Sequence, residues 1–220
     1  MYTPYDWQEM IGNRAQFIED RLRRGTPVLA ASCKDGIVAY TLRRNARKLY
    51  EVYDRVMMGA VGQQADMEAM RIAAIEFTSK EGYSRSELDV GVQRVTMAIS
   101  APMKSAFSDF STAPFSLKIL MMEVNARPID DVYYVIDYDG EYQMSSLAAC
   151  VIGDSEKLSL FSDQPIDASE MEVEATLKLL RGRYEPLLPD GLEKNDLIEE
   201  AALLSRDPNL QIRFSLLLPK

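Results

Sequence analysis

The fold of this chain is decided by residues 25–68, which read GTPVLAASCKDGIVAYTLRRNARKLYEVYDRVMMGAVGQQADME. Two apolar runs flank the turn Lys34-Asp35-Gly36, and an Asp-Gly pair in that setting is a strong hairpin signal. The near-continuous apolar character of both runs predicts strands that are covered on both faces. Two further strands, over residues 48–51 and 53–62, then lead into a helix.

The rest of the sequence divides into helices in pairs and strands in runs. Apolar residues at helical spacing predict an amphipathic helix over residues 6–24, which Gly25 ends. The grouping favours an α+β fold over alternating βαβ units, with two stacked, mainly antiparallel sheets between outer helix pairs. We expect residues 1–220 to form one domain, with residues 26–220 as its core sandwich. The other predicted elements are helices at 65–82, 86–103, 154–161, 169–181 and 195–205, and strands at 115–124, 132–137, 145–152 and 210–216.

The composition argues against several classes of function. A formal net charge of −9 argues against nucleic acid as a partner, because phosphate binding needs a concentrated basic surface. The sequence contains no histidine, which removes Ser-His-Asp and Cys-His catalysis and histidine metal sites. Cys33 and Cys150 lack metal-type spacing, so we expect two buried free thiols in a reducing cytoplasm, with no metal and no cofactor. We expect neither a signal peptide nor a membrane span.

Several short motifs occur in the order in which one known family carries them. With this order and spacing, the chain resembles the proteasome family of the N-terminal-nucleophile (Ntn) hydrolase superfamily, and in particular its actinobacterial α-type subunits. The resemblance covers nearly the whole chain, and it implies a four-layer αββα sandwich preceded by an N-terminal helix. The motifs are Gly25-Thr26, Asp35-Gly36, Asn45-Ala46-Arg47-Lys48-Leu49, Tyr53-Asp54-Arg55-Val56, Gly82-Tyr83 and Val151-Ile152-Gly153-Asp154-Ser155.

The resemblance implies a structural and gating role. An α-type subunit is not catalytic by itself, and it forms a homo-heptameric outer ring that stacks on a ring of β-type peptidase subunits. Such a ring controls the access of unfolded protein substrates and docks an ATP-dependent ring activator, or unfoldase. Contacts of this kind are heterologous and close into a ring.

An alternative is a threonine peptidase of the same fold, whether β-type or a self-assembling homologue. Its nucleophile would be Thr26, exposed as a new N-terminus by processing, with its own amine as the general base and Lys48 beside it. Two residues argue against this enzyme. Leu42 stands where the family places the acidic partner of the lysine, and Pro27 departs from the usual residue after the threonine. Cleavage after Gly25 would also discard a well-formed helix.

The resemblance also implies two sites for a non-catalytic subunit. Lys48 matches a lysine that lines a pocket between neighbouring subunits and receives the C-terminal carboxylate of an activator's tail; otherwise it is an ordinary surface lysine in a basic loop. The segment before the first helix converges on the ring axis in the family and restricts passage; otherwise it is a frayed terminus. This gate segment consists of Met1, Tyr2, Thr3, Pro4 and Tyr5.

Overall fold

Ten strands and five helices make up the regular structure in the computed structural model, which describes residues 4–192 and 194–217 apart from the side chains of Pro4 and Asn195. The helices are α1 (Pro4–Leu22), α2 (Gln64–Ser84), α3 (Val92–Ser108), α4 (Leu158–Ser162) and α5 (Val173–Tyr184). The strands are β1 (Val28–Cys33), β2 (Gly36–Arg43), β3 (Leu49–Tyr53), β4 (Val56–Gly62), β5 (Leu117–Glu123), β6 (Val132–Ile136), β7 (Tyr142–Ser145), β8 (Ala148–Val151), β9 (Ile198–Ser205) and β10 (Phe214–Leu216).

The strands form two five-stranded antiparallel sheets, ordered β10-β9-β2-β1-β8 and β3-β4-β5-β6-β7. Side chains from the inner faces, among them Val28, Ile37, Met57 and Leu120, form one buried layer between the sheets. A second layer joins the first sheet to α5, and a third joins the second sheet to α2 and α3. The predicted αββα sandwich is therefore confirmed. Its inner strands β1, β2, β4 and β5 are buried along almost their whole length because both faces are covered.

Helix α1 lies against the end of this sandwich. It buries Ile18 and Leu22 in a small cluster with Tyr138, whose hydroxyl donates to Glu19 at 2.8 Å. The helix begins at Pro4, two residues before the predicted start, and a proline is compatible with the first turn of a helix. No helix within the described ranges has both the length and the apolar character needed to cross a bilayer.

The prediction of a helix over residues 195–205 is wrong. A 3₁₀ turn over Lys194–Asp196 is followed by β9, which pairs along eight residues with β2 and lies between β2 and β10. Its Glu and Ala-Leu content favours a helix by intrinsic propensity, but burial in the sheet outweighs a preference of a few tenths of a kcal/mol per residue. Ala201, Ala202 and Leu204 are accordingly buried.

The single strand predicted over residues 145–152 is also wrong, because the chain changes sheets within it. Strand β7 pairs with β6 in one sheet, whereas β8 pairs with β1 in the other. The corner falls at Leu147, which has a positive φ of 65° and whose carbonyl accepts a hydrogen bond from the Ser32 amide at 2.7 Å. Leucine rarely adopts this conformation, so the sequence carries no turn signal there.

Smaller differences concern element ends. Residues 154–161 form a short 3₁₀ turn followed by α4, and α5 begins later and ends later than predicted. The final strand is only three residues long. The two cysteines are free and buried, as expected.

Candidate functional site

The fold brings Thr26 and Lys48 into direct contact. Thr26 lies just before β1, and Lys48 just before β3 of the other sheet. The Lys48 ammonium donates to the Thr26 hydroxyl oxygen at 2.8 Å and also to the Thr26 carbonyl oxygen. Both side chains are buried. The two residues that the catalytic alternative requires are thus adjacent.

The bonding of Thr26 differs from what a nucleophile needs. Its hydroxyl donates to the Leu42 carbonyl at 2.5 Å. Its nitrogen belongs to the peptide bond with Gly25, so the free terminal amine that this kind of catalysis needs would exist only after cleavage at that bond. Gly25 is itself closely packed, because a Cβ atom there would lie 2.4 Å from a Val61 methyl carbon.

Tyr184, at the end of α5, holds the two strand ends beside Thr26. Its hydroxyl donates to the Pro27 carbonyl at 2.7 Å and accepts from the Leu42 amide at 2.9 Å. The Leu42 side chain is fully buried in the apolar layer beneath α5. A carboxylate in its place would be buried in that apolar layer. Sequence reasoning missed Tyr184, and no motif in the sequence marks it.

Strand β9 supplies a carboxylate that interacts with Lys48. Glu200 is 5% exposed, and it accepts a hydrogen bond from the Lys48 backbone amide at 2.9 Å. Burial lowers the pKa of Lys48 to about 7, and the Glu200 charge offsets part of that effect. Burial likewise raises the pKa of Glu200. Sequence reasoning missed this carboxylate because it assigned the stretch to a helix.

A pocket of about 190 Å³ opens above these residues. It lies between the start of β1, the β2–β3 connection and the start of α2. Its lining contains four cationic side chains and no carboxylate among the described residues. The lining residues are Arg24, Gly25, Thr26, Arg43, Arg44, Asn45, Ala46, Lys48, Gly62, Gln64, Met67 and Leu192.

The basic loop before β3 forms the rim of this pocket. Arg43 donates from its guanidinium to the Asn45 carbonyl at 2.6 Å, and its Nε lies 3.7 Å from the Glu200 carboxylate. Arg47 is exposed and is not among the lining residues. Lys48 therefore lies in the wall of a basic pocket and is not an exposed surface lysine. Its role in docking an activator stays a prediction.

The predicted gate segment is only partly described. Met1, Tyr2 and Thr3 lie outside the described residues. Pro4 and Tyr5 belong to α1, so their assignment to a segment that precedes the helix is wrong. The physical reason is that proline is accepted in a first helical turn, so the helix extends through both positions.

Comparison with known proteins gives this geometry a family context. The model of the proteasome subunit family matches residues 22–181. Among curated proteins, the chain is 28% identical over 153 residues to proteasome subunit alpha of Jonesia denitrificans, covering 69% of this chain and 64% of the relative. It is 27% identical over 168 residues to the Streptomyces griseus protein of the same name, covering 74% and 62%.

A third relative, from Acidothermus cellulolyticus, is 29% identical over 144 residues, covering 64% of this chain and 62% of the relative. All three alignments span less than two thirds of the relative's own length. The family match covers most of the chain, and the curated relatives are α-type subunits of actinobacteria. This chain belongs to the proteasome subunit family, and within that family it is similar to the actinobacterial α-type subunits.

Proposed function

We propose that this chain is a non-catalytic, α-type subunit of a cytoplasmic proteasome core particle. It forms a homo-heptameric outer ring, stacks on β-type peptidase subunits, controls the access of unfolded substrates and docks an ATP-dependent ring activator. The observation that carries the non-catalytic role is the state of Thr26. Its hydroxyl donates to the Leu42 carbonyl, and the buried Leu42 side chain offers no carboxylate to Lys48.

The packing of α1 supports the same conclusion. Cleavage after Gly25 would remove Ile18 and Leu22 from the cluster around Tyr138. It would also remove the close packing of Gly153 against the Leu22 carbonyl. A Cβ atom added at Gly153 would lie 1.8 Å from that carbonyl oxygen. Losing two large buried aliphatic side chains would cost several kcal/mol, on the order of 1.5–3 for each. A leader that processing removes has no need of such contacts.

The enzyme remains the second candidate, and one observation favours it: the Lys48 ammonium lies 2.8 Å from the Thr26 hydroxyl oxygen. Intact-mass measurement of the purified native particle separates the two candidates. We expect a chain that retains the residues before Thr26, hydrolyses no fluorogenic peptide and takes up no covalent inhibitor of terminal threonines. The β-type subunit of the same sample serves as the positive control for labelling. A labelled chain that begins at Thr26 would overturn the proposal.

Assembly is tested by negative-stain microscopy of the chain with and without its β-type partner. We expect seven-fold rings that stack on the partner ring. A chain that stays monomeric in both samples would contradict the proposed ring.

The gate is tested on the assembled particle, because restriction at a pore exists only in a ring. Removal of Tyr2 and Thr3, the predicted gate residues that precede α1, should raise the hydrolysis of a peptide substrate by the β-type ring without changing its affinity for a covalent active-site inhibitor. An unchanged rate would reject the gating role of this segment.

The docking role of Lys48 is supported by its position in the wall of a basic pocket, where a bound carboxylate would favour the charged form of its amine. A cation in the wall of a basic pocket pairs with a terminal carboxylate and so fixes the register of an inserted tail. We expect Lys48→Met to abolish the stimulation of peptide hydrolysis by the cognate activator, and Lys48→Arg to retain part of it. Arg127→Met is a suitable control, since Arg127 is exposed and pairs with Asp130 away from the pocket. Full stimulation of the Lys48→Met particle would reject the role.

A further inference from the structure

The charge of the Lys48 pocket is opposite in sign to that of the whole chain. The chain carries 34 acidic and 25 basic residues. Yet Arg24, Arg43, Arg44 and Lys48 line one pocket of about 190 Å³, without any carboxylate among the described lining residues. Clustering of one sign within a small concave site focuses the electrostatic potential and attracts the opposite charge.

The four cations are engaged to different degrees. Lys48 is bonded to Thr26, and Arg43 is bonded to the Asn45 carbonyl and lies near Glu200. Glu200 accepts from the Lys48 backbone amide, lies close to Arg43 and is not part of the lining, so it offsets part of the charge of these two residues and leaves Arg24 and Arg44 as the uncompensated cations of the pocket. The Nε atom of Arg43 is buried and has no hydrogen-bond partner.

Arg24 and Arg44 complete the rim from opposite sides. Arg24 follows α1, and Arg44 follows β2. Both are exposed, and neither forms an ion pair with a carboxylate within residues 4–192 and 194–217. The rim therefore has more capacity to bind anions than a single terminal carboxylate on Lys48 would use. Arginine also suits this task, because its planar guanidinium can bind a carboxylate with two parallel hydrogen bonds.

The size of the pocket limits what it can hold. Pockets for drug-sized ligands occupy about 300–1,000 Å³, so this one suits the last one or two residues of a chain end. Met67 and Gly62 supply an apolar part of the lining against which a terminal side chain can pack.

We propose that the pocket is specific for an acidic C-terminal tail, whose terminal carboxylate binds Lys48 while one or more upstream acidic side chains bind the rim of Arg24, Arg43 and Arg44. The inference rests on the proposed docking role of Lys48 and adds the chemical class of the tail. The rim contacts are exposed, so their contribution is modest and decreases with ionic strength.

The test uses four fluorescein-labelled hexapeptides and measures their binding to the assembled ring of this chain by fluorescence anisotropy, because the resemblance places the Lys48 pocket between neighbouring subunits. The peptides have the sequence Gly-Ser-Glu-Glu-Ala-Leu or Gly-Ser-Gln-Gln-Ala-Leu, each as a free acid and as a C-terminal amide. At an ionic strength of about 0.05 M we expect the Glu peptide acid to bind about threefold to tenfold more tightly than the Gln peptide acid. Both amides should bind more weakly than their acids.

Variants of the rim assign the preference to specific side chains. Arg44→Gln and Arg24→Gln should each reduce the ratio of Glu to Gln affinity, because each removes one rim cation from an exposed position that the fold does not need. Arg127→Gln removes the same charge at a distant site and should leave the ratio unchanged; Arg127 already pairs with Asp130.

The outcomes separate the inference from the function on which it rests. Equal affinity for the Glu and Gln acids, with both amides weaker, would overturn the acidic-tail inference while supporting the docking role of Lys48. Equal affinity for acids and amides in both series would overturn the docking role. A Glu preference that Arg127→Gln removes as strongly as Arg44→Gln would overturn the assignment to the rim, because net charge alone would then explain it.

Discussion

A buried ion pair joins the two sheets at the end of the sandwich away from Thr26, and its removal should strongly destabilise the fold. Arg206 follows β9 and contacts Asp131, which precedes β6, through two hydrogen bonds of 2.7 and 2.8 Å. Its side chain is 10% exposed and that of Asp131 is 0% exposed. The same guanidinium donates to the Cys33 carbonyl at 3.0 Å and to the Asn125 carbonyl. One side chain thus connects both sheets.

The perturbation is Arg206→Met, which keeps an unbranched apolar side chain and removes the charge. It leaves the Asp131 carboxylate buried without its cation, and it leaves the carbonyls of Cys33 and Asn125 without this donor. Breaking a buried pair in this way typically costs about 3–5 kcal/mol. Arg127→Met is a matched control, because Arg127 makes the same two-bond contact with Asp130, at 2.7 and 3.0 Å, on the surface.

The control pair is 72% and 40% exposed, so its loss should cost only about 0–1 kcal/mol. Urea unfolding of both variants and the original chain, at one pH and one protein concentration, measures the two changes in the free energy of unfolding. The double variant Arg206→Met with Asp131→Leu should recover part of the loss, since it removes the unpaired charge. Equal costs for Arg206→Met and Arg127→Met would refute the reasoning, because burial would then not set the value of the pair.

The remaining predictions concern the Lys48 site and α1. Burial lowers the pKa of Lys48 from 10.5 to about 7 despite the nearby charge of Glu200. Between pH 7 and 10.5 the folded chain therefore binds fewer protons than the unfolded chain, so the free energy of unfolding should rise with pH in this range. Urea unfolding of Lys48→Met at several pH values should lack that rise. Gly153→Ala should lower the thermal midpoint, since its Cβ would lie 1.8 Å from the Leu22 carbonyl oxygen; the cost is about 1–3 kcal/mol. Gly182→Ala, with nothing within 4 Å, should instead stabilise α5 by about 0.5–1 kcal/mol in the same scan.

Short-range sequence patterns predicted most of the sandwich, because turn residues and the spacing of apolar residues within each segment determine most of its helices and strands. The Asp35-Gly36 turn fixes the first hairpin, and the helical spacing of apolar residues fixes α2 and α3 against one sheet. Strand β9 could not be found in this way. A strand that is covered on both faces loses the alternation that identifies it, and its Glu and Ala content points to a helix. Its partner β2 decides the conformation, and that pairing joins residues far apart in the sequence.

Because residues 195–205 were predicted to be a helix, the sequence did not reveal which carboxylate lies near Lys48. Glu200 reaches Lys48 only because β9 pairs with β2 in a register that places Thr41 opposite Glu200. With that stretch assigned to a helix, Lys48 had no visible carboxylate nearby, and the lowered pKa of its ammonium could not be anticipated. The position of Leu147, where the chain changes sheets, was hidden for a related reason, since only tertiary contacts hold a leucine at positive φ.

The contact between Thr26 and Lys48 is, by contrast, a consequence of topology, so by itself it is only weak support for a peptidase. The two residues immediately precede strands of facing sheets, and those sheets pack closely: a Cβ atom at Gly59 would lie 2.8 Å from a methyl carbon of Val28. The local feature that argues against a peptidase is the leucine at position 42. The family was predictable from the order of short motifs in the sequence, whereas the charge of the pocket became visible only when β2, α1 and the loop before β3 were seen to meet.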